Sequence, residues 1–193
     1  LFILIFLLQG STPGEKDTAE EVIAHFKDSD VRSSISAFLA IPAAAFLLVF
    51  LSRLRAGIDD RARAARSLLV AGGAVWSAGM LVGASVLLAN NIAANEDFEA
   101  AAQTLNVLYA AMWIPSVGGI AITLLGAGLA VLRTGILPRW MGLVALVVGV
   151  ISLLGPGGFL GFFVAPIWIA AAGLMLYLRR AAPVESEVGR NMV

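Results

Sequence analysis

The side chains best suited to metal binding or acid–base chemistry lie close together near the amino terminus. Four of them recur at helical spacing: Asp17, Glu21, His25 and Asp28. An α-helix would place them near one face, where carboxylate and imidazole groups can ligate a divalent cation. A solvated acidic face has the same pattern, and His25 is the single histidine of the chain. We therefore interpret these residues as a solvated face and predict neither a metal site nor a cofactor.

Hydroxyl side chains are the remaining candidates for nucleophilic catalysis, because the chain has no cysteine. Those inside long apolar stretches are Ser77, Ser85, Thr123 and Ser152. A serine nucleophile needs a general base within reach, and the apolar stretches contain no Asp, Glu, Lys, Arg or His. A lone hydroxyl in a helix instead bonds a carbonyl of the preceding turn or a neighbouring helix. We therefore predict that the protein is not an enzyme, and ion-coupled transport loses support for the same reason.

Apolar residues dominate the composition. Hydrophobic residues make up 60% of the chain and charged residues 13%, against about 25% charged residues in soluble domains. Long apolar stretches occupy residues 1–8, 35–52, 68–89, 107–132, 141–154 and 159–178. Such continuous runs are typical of membrane helices rather than barrel strands. We predict an all-α, polytopic membrane helix bundle of about six transmembrane helices, with a single domain over residues 1–180 and a disordered cytoplasmic tail over residues 181–193.

Two of these stretches are short. Residues 1–8 cannot span ~30 Å of hydrocarbon, so we expect the outer end of a helix whose start is missing from this sequence. The apolar core of a signal peptide is the alternative. Residues 141–154 cover roughly 21 Å at 1.5 Å per residue. We expect this helix to begin at Pro138 and to be followed by a tight turn at residues 155–158.

Basic residues are concentrated in alternate connecting segments. Residues 53–67, 133–140 and 179–193 carry ten of the thirteen basic residues and four of the thirteen acidic ones. The other connections carry the remaining three basic and nine acidic residues. The positive-inside rule assigns the arginine-rich segments to the cytoplasm, and with them both chain ends. The arginines of residues 53–66 also suit anionic lipid headgroups, with a cytosolic partner as the alternative.

The acidic connections contain helix-start signals. Thr18 and Glu21 match a capping box, and an apolar stripe follows at residues 22–26. We expect a short helix here, lying on the membrane surface or on top of the bundle. Residues 95–99 predict a second helix start, which leads into the fourth apolar stretch.

Small residues predict close packing of helices. Gly79 and Gly83 form a GxxxG pattern, which lets two helices approach closely. The further glycines that we assign to helix packing are Gly118, Gly119, Gly126 and Gly161. Packing inside the bundle explains them most simply, with contacts to a second copy or to a partner subunit as the alternative.

Four aromatic side chains are candidates for lining a small apolar cavity, namely Trp76, Phe162, Phe163 and Trp168. Such a cavity would suit a lipid tail or another apolar ligand. Plain packing between helices accounts for the same residues, with each buried indole N–H bound to an acceptor.

Two segments resemble a family of uncharacterised, multi-helix membrane proteins of high-GC bacteria. They are AEEVIAHF at residues 19–26 and LRTGILPRWMG at residues 132–142. The resemblance extends over most of the chain. It implies a location in the bacterial cytoplasmic (inner) membrane and transfers no catalytic residue, because the family carries no established activity.

The sequence thus favours a non-enzymatic integral membrane protein, an accessory or scaffold subunit that packs through small-residue helix faces. A transporter or carrier of a small apolar or lipid-like molecule is the alternative. The expected partners are the lipid bilayer and either another membrane protein subunit or further copies of this chain. We expect no nucleic acid partner.

Overall fold

The chain is helical in nearly all of its described residues. The structure, a computed structural model, describes residues 1–14, 16–154 and 157–181, and these ranges contain no strand. The elements are α1 (Phe2–Gln9), α2 (Ala19–Ala56), a 3-10 turn (Asp60–Ala62), α3 (Arg63–Asn95), α4 (Glu99–Ala111), α5 (Trp113–Thr134), α6 (Arg139–Ser152) and α7 (Gly158–Ala181). The predicted all-α class is confirmed. The expected tail beyond α7 and the centre of the turn expected at residues 155–158 lie outside the described residues.

Four helical segments of the described chain are long and apolar enough to cross a membrane. They are Ala19–Ala56, Asp60–Asn95, Glu99–Thr134 and Gly158–Leu178. The other two predicted stretches also form helices but are shorter, with 8 residues in α1 and 14 residues in α6. Close to the expected bounds, α6 begins at Arg139, one residue after Pro138, and ends at Ser152, two residues before the end of the apolar stretch.

The capping box at the start of α2 is present, but the helix that it starts is much longer than expected. The Thr18 hydroxyl accepts a hydrogen bond from the Glu21 N–H at 3.3 Å, and the Glu21 carboxylate accepts one from the Thr18 N–H at 2.8 Å. The predicted short outer helix and the second apolar stretch then form one continuous helix of 38 residues. No glycine or proline interrupts residues 19–41, so the helix has no local reason to end before the apolar stretch.

A proline lies close to the boundary between α4 and α5. Pro115 has no N–H for the carbonyl of Ala111, where α4 ends, and the Met112 N–H bonds the Tyr109 carbonyl at 3.0 Å. Proline alone does not end a helix in this chain, since Pro42 and Pro166 lie inside α2 and α7. The start predicted at residues 95–99 is confirmed as the start of α4 and leads into α5 after this one-residue break.

The helices α2, α3 and α5 form an antiparallel centre. Leu51 of α2 lies beside Gly73 of α3, and further along Ser33 bonds Asn91 and Lys27 pairs with Asp97. From one pair to the next, the residue number in α2 falls by as much as the residue number in α3 and the turn after it rises. The two antiparallel helices therefore keep one register over most of their length. On the other side, α6 and α7 pack against α5.

Two apolar clusters are buried at different levels of the bundle. The main core joins α2, α3, α5, α6 and α7 around Trp76, Leu124, Met141 and Trp168. A smaller cluster joins the first half of α2, the end of α3 and α4 around Val22, Phe26, Leu87, Ala94 and Ala102. We call residues 19–37, 84–95 and α4 the head. Because the head has its own buried cluster, the first turns of α2 are packed against the end of α3 and against α4.

The segment 132–142, one of the two that carry the family resemblance, forms the turn from α5 to α6. Gly135 ends α5 in the left-handed conformation at φ 65°, which a residue without Cβ adopts at little cost. Leu137 and Met141 are buried in the main core. The side chain of Ile136 reaches Gly57 at the end of α2. This segment therefore fastens the arginine-rich ends of three helices to one another.

Candidate functional site

A seam of small residues joins α3 to α5 along most of their shared length. Facing each other across it are Leu69 and Gly126, Gly72 and Thr123, Trp76 and Gly119, and Gly79 and Ser116. A Cβ added to Gly119 would overlap the backbone of Trp76. A Cβ on Gly79 would lie 2.8 Å from the Ser116 hydroxyl oxygen. The two backbones can approach so closely only because these positions lack side chains.

The predicted packing glycines divide into two groups. Gly79, Gly119 and Gly126 lie in the seam. Gly161 packs α7 against α6 and α5, where an added Cβ would meet the Ser152 hydroxyl oxygen at 2.5 Å and Ile120 at 3.0 Å. By contrast, Gly118 faces open space, and the nearest atom to a Cβ on Gly83 would be Cβ of Met112 at 3.8 Å.

The sequence interpretation missed Gly72, which lies in the seam next to the backbone of Thr123. The seam repeats at alternating steps of three and four residues along α3. That spacing, rather than the GxxxG pattern alone, would have pointed to Gly72.

The four aromatic residues proposed to line a cavity lie in different environments. Trp168 is buried and donates its indole N–H to the Met141 carbonyl at 3.0 Å. Trp76 is fully buried against the ring of Phe2 at 5.1 Å, and its indole N–H has no hydrogen-bond partner in the structure. Phe162 packs against the main core, whereas Phe163 is 55% exposed. Both tryptophans are thus packed into the bundle interior, and a cavity between the four stays a prediction.

Carboxylates of the acidic face near the amino terminus accept hydrogen bonds from neighbouring residues of the chain. Asp17 accepts a hydrogen bond from the Gly14 N–H at 2.8 Å. The Thr18 backbone N–H and then its hydroxyl lower the pKa of Glu21 below its ordinary value. His25 makes an edge contact with the ring of Phe26. Within the described part of the chain, no three His, Cys, Asp or Glu side chains are grouped so that they could hold a metal ion.

Buried polar side chains join the helices of the head. Most of them lie in segments that the sequence predicts as connections between apolar stretches. The Asn91 amide donates hydrogen bonds to the hydroxyls of Ser33 at 2.8 Å and Ser34 at 3.1 Å. The Asn106 amide donates to the Gly14 carbonyl at 3.2 Å. Asn90 is fully buried, and neither of its amide atoms has a partner in the structure. The signal for this cluster is the helical spacing of Ser29, Ser33 and Ser36 in α2.

The turn from α3 to α4 fixes the outer edge of the head. Asp97 adopts a left-handed conformation at φ 56°, which Asp tolerates better than most residues. The N–H of the next residue, Phe98, bonds the Ala93 carbonyl at 2.8 Å. The Asp97 carboxylate also pairs with Lys27 of α2 at 2.7 Å. The turn therefore connects all three helices of the head.

Arginines surround the opposite end of the molecule. Arg53, Arg55, Arg61 and Arg63 are exposed at the end of α2 and the start of α3. Arg66 is less exposed, because it packs beside the 3-10 turn, where its guanidinium pairs with Asp60 at 3.1 Å. Between the two helices, a recess open to solvent is lined by Ser52, Arg55, Ala56 and Arg66.

One exposed face of α3 carries small residues. Ser67, Ala71, Ala74 and Ala78 are all exposed and follow one another at steps of four, three and four residues. This spacing aligns them along one face of the helix. The face is distinct from the seam, whose residues are buried against α5.

Comparison with known proteins identifies no relative of this chain: no family model, no curated protein and no solved structure matches it. The family resemblance of residues 19–26 and 132–142 stays a prediction.

Proposed function

We propose that the protein is an accessory or scaffold subunit of a membrane assembly, embedded with its arginine-rich end in the cytoplasm and its head outside. Its membrane would be the inner membrane of a bacterium, as the resemblance implies. Large apolar side chains exposed on several helices support the embedding: Phe38, Ile41, Phe46, Val147, Val150, Ile167 and Leu174. The acidic head and the arginines lie at opposite ends of this apolar belt, and the positive-inside rule favours the cytoplasm for the end that carries the arginines.

The observation that carries the proposed role is the small-residue face of α3. Ser67, Ala71, Ala74 and Ala78 form a row of small exposed residues along α3, beside larger exposed side chains of the same helix such as Val75 and Val82. In a bilayer, lipid tails are as apolar as leucine, so helices associate mainly through close packing and hydrogen bonds at small residues. The glycines of the α3–α5 seam are already buried inside the bundle. We infer that this outer face of α3 is where a helix of another subunit, or of a second copy, packs.

The interior of the bundle gives less support to a carrier. All charged side chains of the described residues whose burial is known lie at least partly exposed, so a charged relay through the core has no members there. The backbone contacts of the α3–α5 seam leave little space for a solute between these two helices. The observation that favours the carrier alternative is the buried, unpaired indole N–H of Trp76, which a polar group on a ligand would satisfy.

Photocrosslinking at a single introduced cysteine tests the proposed role. The chain has no native cysteine, so a photoreactive maleimide would label Ala74→Cys alone. The matched control is Ala45→Cys on α2, which replaces an equally exposed alanine outside the small-residue face. In native membranes we expect Ala74→Cys to give a product of one discrete higher mass and the control to label lipid only. A product of doubled mass identifies a second copy, and another mass identifies a different subunit.

The proposal would be wrong if both positions label lipid alone. Products of the same mass and yield at both positions would also contradict it, because they would indicate random collision in the membrane rather than packing on one face.

A further inference from the structure

The recess between the end of α2 and the start of α3 has the chemistry of a phosphate site. Arg55 comes from the last turn of α2 and Arg66 from the first turn of α3, and Ser52, whose hydroxyl is a further potential donor, lines the same recess. A guanidinium presents a planar fork of N–H donors that matches the oxygens of a phosphate group. Two such groups from separate helices, facing one recess, give this site a geometry that scattered surface arginines lack.

The surroundings of Arg66 hold its side chain in place at the recess. Its guanidinium pairs with the Asp60 carboxylate at 3.1 Å, and only 27% of its side chain is exposed. Arg61, at the same end, is 90% exposed, and its contact with Asp59 is 3.9 Å long. A side chain already fixed by its surroundings loses less conformational entropy when it binds a ligand. Arg66 is therefore the better prepared anion ligand of the two.

The position of the recess identifies the source of the phosphate. Ser52 is the last residue of one apolar stretch, and Arg66 precedes the next stretch by two residues. One turn deeper in each helix lie apolar residues, the exposed Leu48 and the half-buried Val70. In the proposed membrane orientation, the recess is level with lipid headgroups on the cytoplasmic side, and these apolar residues are level with the acyl chains. A free phosphate would make no use of them.

The charge around the recess selects among lipids. Arg53, Arg61 and Arg63 are also exposed at this end, and among the described residues of these connections only Asp59 and Asp60 are acidic. The added ammonium group of a zwitterionic headgroup would be repelled, whereas an anionic headgroup would be attracted. We propose that Arg55, Arg66 and Ser52 form a binding site for the phosphate group of an anionic phospholipid. This site rests on the proposed membrane orientation but not on the proposed partner at α3.

Lipid titration of the purified protein tests this site. Phosphatidylglycerol added to the protein in zwitterionic nanodiscs is expected to raise the thermal unfolding midpoint of the native chain in a saturable way. The double variant Arg55→Gln/Arg66→Gln should need about 25-fold more of this lipid for half of the effect. This figure takes about 1 kcal/mol for the net loss of each guanidinium–phosphate hydrogen bond, at 1.4 kcal/mol per tenfold change.

Two controls separate the site from general charge and from folding defects. Arg133→Gln/Arg139→Gln removes the same charge from exposed arginines at the same end and should leave the half-saturating lipid content within about twofold. Arg55→Gln alone keeps the Arg66–Asp60 ion pair and, with one guanidinium–phosphate hydrogen bond lost, should need about fivefold more lipid. Inorganic phosphate without anionic lipid should produce no saturable shift.

Three results would overturn the site: equal losses in both double variants, a full shift with inorganic phosphate alone, or no shift in the native chain. Failure of the native chain to enter nanodiscs would instead contradict the membrane embedding itself. The crosslinking at Ala74→Cys reports on the partner at α3 independently of all these outcomes.

Discussion

Gly118 and Gly119 are neighbours in the chain but have opposite surroundings. A Cβ on Gly119 would overlap the backbone of Trp76, and one on Gly118 would meet nothing within contact distance. The difference arises because consecutive residues of a helix are about 100° apart around its axis. When Gly119 faces the partner helix, Gly118 therefore faces away from it. At this scale, the fold depends on the absence of a single methyl group at particular points along the α3–α5 seam.

Alanine substitutions at these two glycines should therefore have different effects on the free energy of unfolding. Gly119→Ala is expected to lower the free energy of unfolding by about 1–3 kcal/mol, because α3 and α5 must move apart to admit the methyl group. Gly118→Ala should leave stability unchanged or raise it by up to about 1 kcal/mol through its higher helix propensity. Thermal or denaturant unfolding in detergent measures both. Equal destabilisation by the two variants would contradict the assigned seam.

At the scale of elements, α2 extends from the head through the apolar belt to the arginines as one helix. Its first turn is stabilised by the reciprocal hydrogen bonds of Thr18 and Glu21. Behind this turn, Val22 and Phe26 are buried in the head cluster. The start of the helix is therefore coupled to the packing of α3 and α4, and a weaker cap should loosen the head before it affects the main core.

The capping box makes the stability of the head dependent on pH. The folded-state pKa of Glu21 lies below its ordinary value of 4.5, so its contribution is present above that pH and is lost as the pH falls through the lowered pKa. Hydrogen-exchange protection factors, which divide out the intrinsic pH dependence of exchange, should fall in the first turns of α2 over this range. Thr18→Ala should lower these protection factors at every pH, by the loss of a cap worth about 1 kcal/mol, and should abolish the extra acid-induced fall. An unchanged pH profile in Thr18→Ala would exclude Glu21 as the cause.

At the scale of the whole molecule, charge is divided between the two ends. The arginines of the α2–α3 and α5–α6 connections lie at one end, and the acidic residues of the head lie at the other. The segments with membrane-spanning length connect these ends. The same division supports both the proposed orientation and the proposed lipid site, since each requires the arginines to face the cytoplasmic headgroups.

Single cysteines at the two ends test this orientation. Asp28→Cys in the head and Arg61→Cys beside the 3-10 turn both replace exposed residues in a chain that has no native cysteine. In intact cells, a membrane-impermeant maleimide is expected to label Asp28→Cys only. Arg61→Cys should react after the membrane is permeabilised. Labelling of Arg61→Cys in intact cells would reverse the orientation and remove the basis of the lipid site.

Local sequence signals predicted the helices well where the signal and the structure act over the same few residues. The capping box at Thr18, the start of α4 and the start of α6 after Pro138 are examples. The predicted length of α2 was wrong, because the prediction divided the chain by hydropathy into a polar segment at residues 19–34 and an apolar one at residues 35–52. Whether a helix continues depends instead on its backbone hydrogen bonds, which form in polar and apolar segments alike.

The sequence by itself determined the all-α class, the apolar stretches and the division of charge, because each follows from composition and spacing within one segment. Only the tertiary structure decided that Gly119 lies against the backbone of Trp76 while Gly118 faces open space, that Asn90 and Asn91 are buried, and that Arg55 and Arg66 face one recess. These properties depend on which face of a helix meets which neighbour. The register between distant helices sets that pairing, and no local pattern in the sequence encodes it.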